Sequence, residues 1–397
     1  MSRQLPLLTL LCLAAPTTAL AGASSGGDLI LDARLRYEAV SQDGFGEDAT
    51  ALTLRTRLGY ETPAWNGFKL LVEGENVTAL VDDYNSTINL KTAYPVVTDP
   101  EGTELNRAQI SWSGKAADIV VGRQRIVLGN ARFVGNVGFR QNEQTFDALR
   151  IGLKPATDVT VSYIYVDRVL RVFGPDSPQG EWDSDSHLFQ LDAKTPAGQF
   201  TGYGYLMAFE SAPTQSNATW GARLTGARPL GKGLSATYLA EYAHQTDYRN
   251  SPAAFDLSYL ALSAGLKKDP WWVGVGVERL DGDGVRGFRT PLATLHAFQG
   301  WADVFLTTPA RGVTDVDLRA GATFKPRALP GPLKIQAAAH DFSEAGGGDR
   351  YGRELDVSAS TPLTKTLSAE LKAAWFDGAT PAYADRSKIW LTLEMKY

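Results

Sequence analysis

The sequence has 397 residues, of which 44% are hydrophobic and 21% are charged, and its formal net charge at pH 7 is −5. This mildly acidic balance argues against a general binder of nucleic acid, which usually has a basic domain. The only cysteine, Cys12, lies in the N-terminal leader, so the rest of the chain has no thiol for a disulfide or a thiolate metal site.

The first residues predict a secretory leader. Arg3 supplies a positive start, Leu5 to Ala15 form an apolar run of signal-peptide length, and Ala19-Leu20-Ala21 provides a small-residue cleavage site. We therefore expect a Sec-type signal peptide at 1–21 and one domain at 22–397. Loss of Arg3 lowers the basic residues from 39 to 38, against 44 acidic ones. No run of 18 apolar residues follows the leader, so the sequence predicts no membrane-spanning helix.

Alternation of apolar and polar residues dominates the rest of the sequence. Both "DLILDARLRYEA" at 28–39 and "ALTLRTRLGYE" at 51–61 place leucines on one face and full charges on the other. A period of two residues indicates β-strands rather than helices. The pattern predicts 18 strands, in chain order at residues 28–40, 51–62, 67–79, 104–113, 116–128, 144–154, 157–169, 185–195, 198–210, 215–227, 233–246, 255–268, 271–281, 313–325, 332–342, 352–361, 365–376 and 386–397.

The connections between these strands alternate in length. Every second one is short and turn-like, such as "GK" at 114–115 and "DP" at 269–270, whereas the others are mostly longer, up to the segment 282–312. Strands of about ten residues, short turns on one side and long loops on the other are typical of outer-membrane barrels. The sequence therefore predicts an all-β protein: a single transmembrane antiparallel β-barrel of about 18 strands, with short periplasmic turns and long extracellular loops.

The last predicted strand, "KIWLTLEMKY", has an apolar face that ends on an aromatic residue. Leu391, Leu393, Met395 and the terminal Tyr397 share that face, whereas Trp390 lies on the polar face. A closing strand of this kind resembles the C-terminal signal by which bacterial outer-membrane barrels are recognised for insertion. We therefore expect outer-membrane lipid and the barrel-assembly machinery as partners, and a location in the outer membrane of a Gram-negative cell.

The segment "GRQRIVLGNARFVGNVGFRQNEQT" at 122–145 is rich in hydrogen-bond donors. It holds Arg123, Arg125, Arg132 and Arg140 but only one acid, Glu143. Arginine facing lipid costs about 2–4 kcal/mol at the midplane, so we expect Arg123 and Arg125 to point into the lumen. The glycine-rich loop that follows is suited to fold into the lumen and to offer forked donors to carboxylates.

The charges predicted on the lumen wall nearly cancel. Pairing across strands, which would neutralise them, is the alternative to a role in selectivity. If they cancel, selectivity depends on the narrowest point, where rings of basic side chains favour anions. The nine inward bases are Arg34, Arg36, Arg55, Arg57, Lys69, Arg223, Arg319, Lys388 and Lys396, and the eight inward acids are Asp32, Glu38, Glu61, Glu73, Glu75, Glu241, Asp317 and Glu394.

Four long motifs resemble those of alginate-export outer-membrane porins: "GRQRIVLGNARFVGNVGFRQNEQTFDAL", "YVDRVLRVFG", "SNATWGARLTG" and "FRTPLATLHAFQGWADVFLTTPARG". The resemblance extends from about residue 28 to the C-terminus. It implies an 18-strand barrel whose lumen bases guide an anionic polysaccharide outward, with periplasmic export partners. It also adds Arg168 and Arg171, from the second motif, to the lumen donors expected at Arg123, Arg125, Arg132 and Arg140.

Other possible sites have weaker support. The four histidines show no metal-ligand spacing with one another. Asp281 and Asp283 resemble a fragment of a calcium loop, but most of its ligand pattern is missing. Helical spacing of the apolar residues at 295–305 predicts a short helix in the longest loop.

The sequence therefore favours a passive channel for an anionic polysaccharide, oligosaccharide or similar solute, with no cofactor. The alternatives are a general or uptake porin for small anionic solutes, an adhesin, or a barrel enzyme. An enzyme would need a serine–histidine pair beside lipid, for which His244 is the only start, with no nucleophile evident near it.

Overall fold

The computed structural model describes residues 26–397, so the predicted signal peptide lies outside the described residues. Eighteen strands are present in this part of the chain, and we label them in chain order. They are β1 (Asp28–Gln42), β2 (Ala49–Glu61), β3 (Phe68–Asp83), β4 (Gly102–Ser113), β5 (Ala117–Gln124), β6 (Thr145–Ala156), β7 (Val159–Leu170), β8 (Glu181–Thr195), β9 (Gly198–Met207), β10 (Asn217–Gly231), β11 (Leu234–Thr246), β12 (Asp256–Lys268), β13 (Trp271–Leu280), β14 (Val313–Phe324), β15 (Leu333–Ser343), β16 (Arg350–Pro362), β17 (Leu367–Gly378) and β18 (Arg386–Lys396).

The strands form one closed antiparallel barrel. Each strand pairs with its neighbours in the chain, and β1 closes the sheet by pairing with β18 from Asp32↔Lys396 to Gln42↔Arg386. All 18 predicted strands are confirmed. The ends differ from the predicted ones by at most four residues. β5, for example, ends at Gln124 instead of residue 128 because the chain leaves the sheet there and turns into the lumen.

The outer face of the barrel is apolar and its inner face is charged. Leu58 and Leu391 on the outer face are 63% and 50% exposed, whereas Arg55 and Glu75 on the inner face are 0% and 2% exposed. An exposed apolar band around a charged interior is the pattern of a barrel with lipid outside. No helix in residues 26–397 is long and apolar enough to cross a membrane.

Short turns lie at one end of the barrel and longer loops at the other. Two of the loops at the extracellular end fold into the lumen: loop 3 (residues 125–144) and loop 7 (residues 281–312). Their apolar side chains join the inner wall in one buried cluster, which includes Phe133, Phe288 and Trp390. The interior of this barrel is therefore largely filled by its own loops.

The helix predicted at 295–305 is wrong. Only a single 3₁₀ turn, Leu295–Ala297, is present. The following backbone amides donate to carboxylates of the wall instead of to carbonyls of their own segment. Trp301 N–H bonds Asp356 at 3.2 Å, and Ala302 N–H bonds Glu354 at 2.7 Å. These bonds hold the segment irregular along β16.

The exposed apolar band predicts that an added charge destabilises the barrel more at the membrane midplane than near the membrane interface. Leu391→Arg places arginine on the lipid face of β18 and should destabilise the barrel by about 2–4 kcal/mol, because a midplane cation is poorly solvated. The control Leu29→Arg, at the start of β1, should cost about 0–1 kcal/mol because it lies near the interface. Denaturant unfolding in lipid vesicles measures both, and equal losses would contradict a lipid-facing band.

Candidate functional site: the lumen constriction

Loops 3 and 7 contact each other across the lumen through their backbones. Gly135 N–H donates to Leu292 O at 2.8 Å, and Thr294 N–H donates to Ala131 O at 3.0 Å. A side chain at position 135 would overlap the hydroxyl of Thr294, so this contact requires a glycine. The paired loops form a bridge from the β5–β6 side of the barrel to the β13–β14 side. This bridge is the constriction.

Arg140 joins loop 3 to loop 7 and to the wall. Its guanidinium lies 3.1 Å from Glu38 on β1 and 2.9 Å from Asp303 of loop 7. Lys388 of β18 completes the cluster at 2.7 Å from Asp303 and 3.3 Å from Glu38. Burial by itself would lower the pKa of Arg140, but the charges of Glu38 and Asp99 raise it above its ordinary value. Arg140 is therefore a permanently charged link between the two loops.

Arg132 provides the second link. Its Nε lies 2.7 Å from Glu278 on β13, and Nη2 donates to Gln299 of loop 7 at 3.0 Å. The guanidinium also lies 4.7 Å from the ring centroid of Phe298. Arg132 is 1% exposed. Both loop arginines therefore lie in the constriction, where each is paired with a carboxylate, and their expected role in guiding a solute stays a prediction.

Four wall arginines on β1 and β2 lie beneath loop 3. Arg34 lies 2.6 Å from Glu394, and Arg55 lies 2.5 Å from Asp32. Arg34 also donates to the Gly138 carbonyl at 2.9 Å, so the wall holds the loop as well as its own charges. The remaining two have different partners: Arg57 pairs with Glu75, whereas Arg36 donates to the Phe139 carbonyl and lies over that ring.

Arg125 follows β5 and points inward, as predicted. It lies 2.5 Å from Glu143 and 3.2 Å from Glu73, and its side chain keeps 30% exposure. Burial by itself would raise the pKa of Glu143, but the charge of Arg57 and the hydrogen bond from Arg125 lower it to about 2. Arg223 also faces the lumen, with its guanidinium against Gly129 of loop 3.

Arg123 and Arg168, which were predicted to be lumen donors, lie on the outer face of the barrel. Arg123 pairs with Asp147 at 2.8 Å. Asp147 alternates with Phe146 and Ala148, which are both buried in the lumen cluster, so Arg123 and Asp147 share the outer face. The inward assignment of Arg123 is therefore wrong. Its position at the extracellular end of β5 lets the pair reach water instead of lipid.

The lumen assignment of Arg168 is also wrong. Arg168 is the cross-strand partner of Asp147, so it lies on the same outer face near the extracellular rim. It lies 3.1 Å from Glu181, and its side chain is 39% exposed. Arg171 lies in the loop that follows β7, where it faces the extracellular mouth between Trp182 and Phe173.

His296 of loop 7 is a residue of the constriction that the sequence did not indicate. Its Nδ1 lies 2.7 Å from Asp303, its Nε2 lies 2.7 Å from Lys372 Nζ, and its ring stacks on Phe139 at 3.5 Å. Burial lowers the pKa of His296 to about 3, with the charge of Lys372 acting in the same direction. A neutral ring with Nδ1–H donating to Asp303 and Nε2 accepting from Lys372 satisfies both contacts. No motif joins these three positions in the sequence.

The calcium interpretation of Asp281 and Asp283 is not supported. Asp281 lies 2.6 Å from Arg279. Asp283 accepts the backbone N–H groups of Val285 and Arg286, both at 2.8 Å, as a turn residue does. No group of three or more metal-ligand side chains occurs within residues 26–397.

The neighbourhood of His244 differs from the sequence-based expectation. Ser258 is its cross-strand partner, and Asp256 lies 3.5 Å from its Nδ1, so both residue types of a hydrolytic triad are nearby. The Ser258 hydroxyl, however, bonds the Tyr242 hydroxyl at 3.0 Å. Nucleophilic activation needs a serine–histidine hydrogen bond, and the described residues form none here.

The closed barrel, the lipid-facing band and the constricted lumen define the fold class of an outer-membrane channel. The sequence matches no protein-family model and none of the curated proteins. The fold is similar to the crystal structure of Pseudomonas aeruginosa OpdL, with a TM-score of 0.71 at 16% identity, over 94% of this chain and 98% of that one.

Two further structures from Pseudomonas aeruginosa contain small ligands. OpdK with vanillate matches with a TM-score of 0.71 at 13% identity, and OccK2 (OpdF) in complex with glucuronate matches with 0.65 at 12% identity. In both comparisons the match covers 93% of this chain and 98% of the matched chain. At these identities the likeness establishes the shared fold.

The resemblance to alginate-export porins is wrong. The structures that the chain matches along nearly its whole length are Opd and Occ proteins. An 18-strand count is common to both kinds of barrel, so the strand pattern could not separate them. The matching structures therefore do not support alginate or polysaccharide export.

Proposed function

We propose that this protein is an outer-membrane channel for the uptake of small anionic solutes, with small carboxylates as the substrate class. The observation that carries the proposal is the constriction itself, where loops 3 and 7 meet against an arginine-rich wall. It concentrates carboxylate-binding donors at the level where loops 3 and 7 narrow the lumen.

The space left in the lumen favours small solutes over polymers. Loops 3 and 7 fill the interior together with the apolar cluster of the wall. Above the constriction a cavity of about 400 Å³ opens at the extracellular mouth, and one of about 100 Å³ continues below it. The larger cavity lies within the range of about 300–1,000 Å³ that is typical of pockets for small ligands. A folded polysaccharide chain would require both loops to leave the lumen.

The distribution of charge favours a carboxylate. Arg34 and Arg55 are direct cross-strand partners, although like charges in that relation destabilise a sheet. Nearby, Arg36 and Arg57 continue the same two strands, so four guanidinium groups lie together on one side of the lumen. Arginine binds carboxylates through two parallel hydrogen bonds. Arg34, Arg55 and Arg57 pair with wall acids, so a solute carboxylate would bind there by exchange with those acids.

The structural neighbours support the same substrate class, because vanillate and glucuronate are both small carboxylates. The insertion of β18 by the barrel-assembly machinery and the existence of a periplasmic partner stay predictions.

The proposal is tested by reconstituting the protein in planar bilayers and liposomes. We expect chloride to be more permeant than potassium in reversal-potential measurements. Glucuronate should enter liposomes faster than glucose, which is of similar size but neutral. Cation selectivity, or equal entry of the two solutes, would contradict the proposed function.

The neighbouring arginines at 123 and 125 provide a matched pair for this test. Arg125→Gln removes an inward charge with 30% exposure, and should lower the chloride-to-potassium permeability ratio. Arg123→Gln removes the same charge from the outer rim and should leave the ratio unchanged. If both variants shift the ratio equally, the bulk field of the protein and not the lumen wall sets the selectivity.

A further inference from the structure

Two arginines at the extracellular mouth differ from those of the constriction. Arg171 lies in loop 4 (residues 171–180), and Arg289 lies in the first half of loop 7. Both line the cavity of about 400 Å³ at the mouth, beside Phe173, Trp182 and Thr290. Arg132 and Arg140 of the constriction are paired with carboxylates. No carboxylate within residues 26–397 forms a salt bridge with either mouth arginine.

Aromatic rings hold Arg171 in place without occupying its donors. The guanidinium carbon lies 3.8 Å from the ring centroid of Trp182 and 4.6 Å from that of Phe173. Among the nitrogens, Nη1 donates to the Gln179 carbonyl at 3.1 Å, and the buried Nε has no hydrogen-bond partner. Cation–π contact fixes the guanidinium plane and leaves Nη2, which forms no hydrogen bond within residues 26–397, available for an anion.

Arg289 is fixed through its backbone. Its N–H donates to the side chain of Gln245 at 2.7 Å, and its carbonyl accepts from the same side chain at 2.8 Å. Its Nε is buried and has no hydrogen-bond partner. The carboxylate of Asp283, the acid nearest in sequence, accepts backbone amides of its own turn. The charge of Arg289 is therefore left without a direct counter-ion.

The mouth cavity leads toward the constriction. Arg171, Phe173, Pro291 and Leu295 line both this cavity and the smaller one below it. The smaller cavity also borders Arg140, which belongs to the link between loops 3 and 7. A solute held at the mouth would therefore lie directly above the passage.

We propose that Arg171 and Arg289 form a capture site, which binds the carboxylate of an incoming small solute before it reaches the constriction. This inference rests on the proposed function and adds a second site to it. Two guanidinium groups without counter-ions, one of them held against aromatic rings, provide a strong local field for an anion at a partly desolvated mouth. The paired wall arginines below then receive the solute by exchange of hydrogen bonds.

Single-channel recordings with glucuronate as the probe test the capture site. In the double variant Arg171→Gln/Arg289→Gln, the rate of blocking events for glucuronate added on the extracellular side should fall about tenfold, the lower end of steering effects. The rate for glucuronate added on the periplasmic side should not change, which also shows that the barrel is folded and its constriction is intact.

The matched control is Arg249→Gln/Arg311→Gln. Both arginines lie in extracellular loops and pair with acids, Asp185 and Glu344, so the control removes the same net charge from the same end. It should change the extracellular rate little. Equal losses in both double variants would overturn the capture site but leave the proposed uptake intact. No glucuronate events from either side of the wild-type channel would overturn both.

Discussion

Replacing Arg140 with methionine should release loop 3 from loop 7 and raise the single-channel conductance severalfold. The substitution keeps much of the side-chain volume but leaves Glu38 and Asp303 with only Lys388 as a shared cation. Breaking a buried ion pair on one side costs about 3–5 kcal/mol, because an uncompensated charge stays buried. Movement of the loops away from each other relieves that cost by admitting water.

The measurement is conductance in planar bilayers, combined with the noise of the open channel. Arg311→Met is the control, because Arg311 is also in loop 7 and paired, but its side chain is 64% exposed. That variant should conduct like the wild type. An Arg140→Met channel with unchanged conductance and unchanged noise would show that the backbone contacts of Gly135 and Thr294 hold the constriction alone.

Acidification should open the same constriction through His296. The ring is neutral when loop 7 is in place, and the pKa of His296 falls there from 6.5 to about 3. Once loop 7 leaves the lumen, the ring regains its ordinary pKa and binds a proton more readily than in the closed state. Closure is therefore fully stabilised above about pH 6.5, and this contribution is lost progressively as the pH falls toward 3.

The size of this pKa shift corresponds to a contribution to the free energy of closure on the order of a few kcal/mol. The charged groups that face His296 are Asp303 of loop 7, Lys372 of β17, and Arg140 and Lys388 around Asp303. Burial would raise the pKa of Asp303, but His296 and Lys388 hold it well below its ordinary value. Asp303 therefore stays charged over the range in which His296 becomes protonated.

Open-channel fluctuations recorded between pH 7 and pH 4 test the role of His296. The wild type should show more frequent and larger openings as the pH falls, whereas His296→Gln should lose most of this dependence. His187→Gln, on β8 outside the constriction, should keep it. An equal pH response of His296→Gln and the wild type would assign the effect to wall carboxylates.

The sequence alone determined the barrel. The alternation along β1 and β2, with Leu31 and Leu58 on one face and Arg34 and Arg55 on the other, is a local property of an extended chain. It predicts the strands, their number and the polar interior, because in a lipid barrel each strand must separate its two faces by itself. The same pattern could not identify the kind of barrel, and the polysaccharide interpretation failed there.

Only the tertiary structure determines which residues form the constriction and how they pair. Arg123 and Arg125 are two residues apart, which is the spacing of side chains on the same face of a strand. Arg123 nevertheless lies on the outer rim and Arg125 in the lumen, because β5 ends between them. His296, Asp303 and Lys372 come together from two separate segments. Which acid pairs with which base depends on strand register and on how loops 3 and 7 fold into the barrel, and these are long-range properties that no local pattern records.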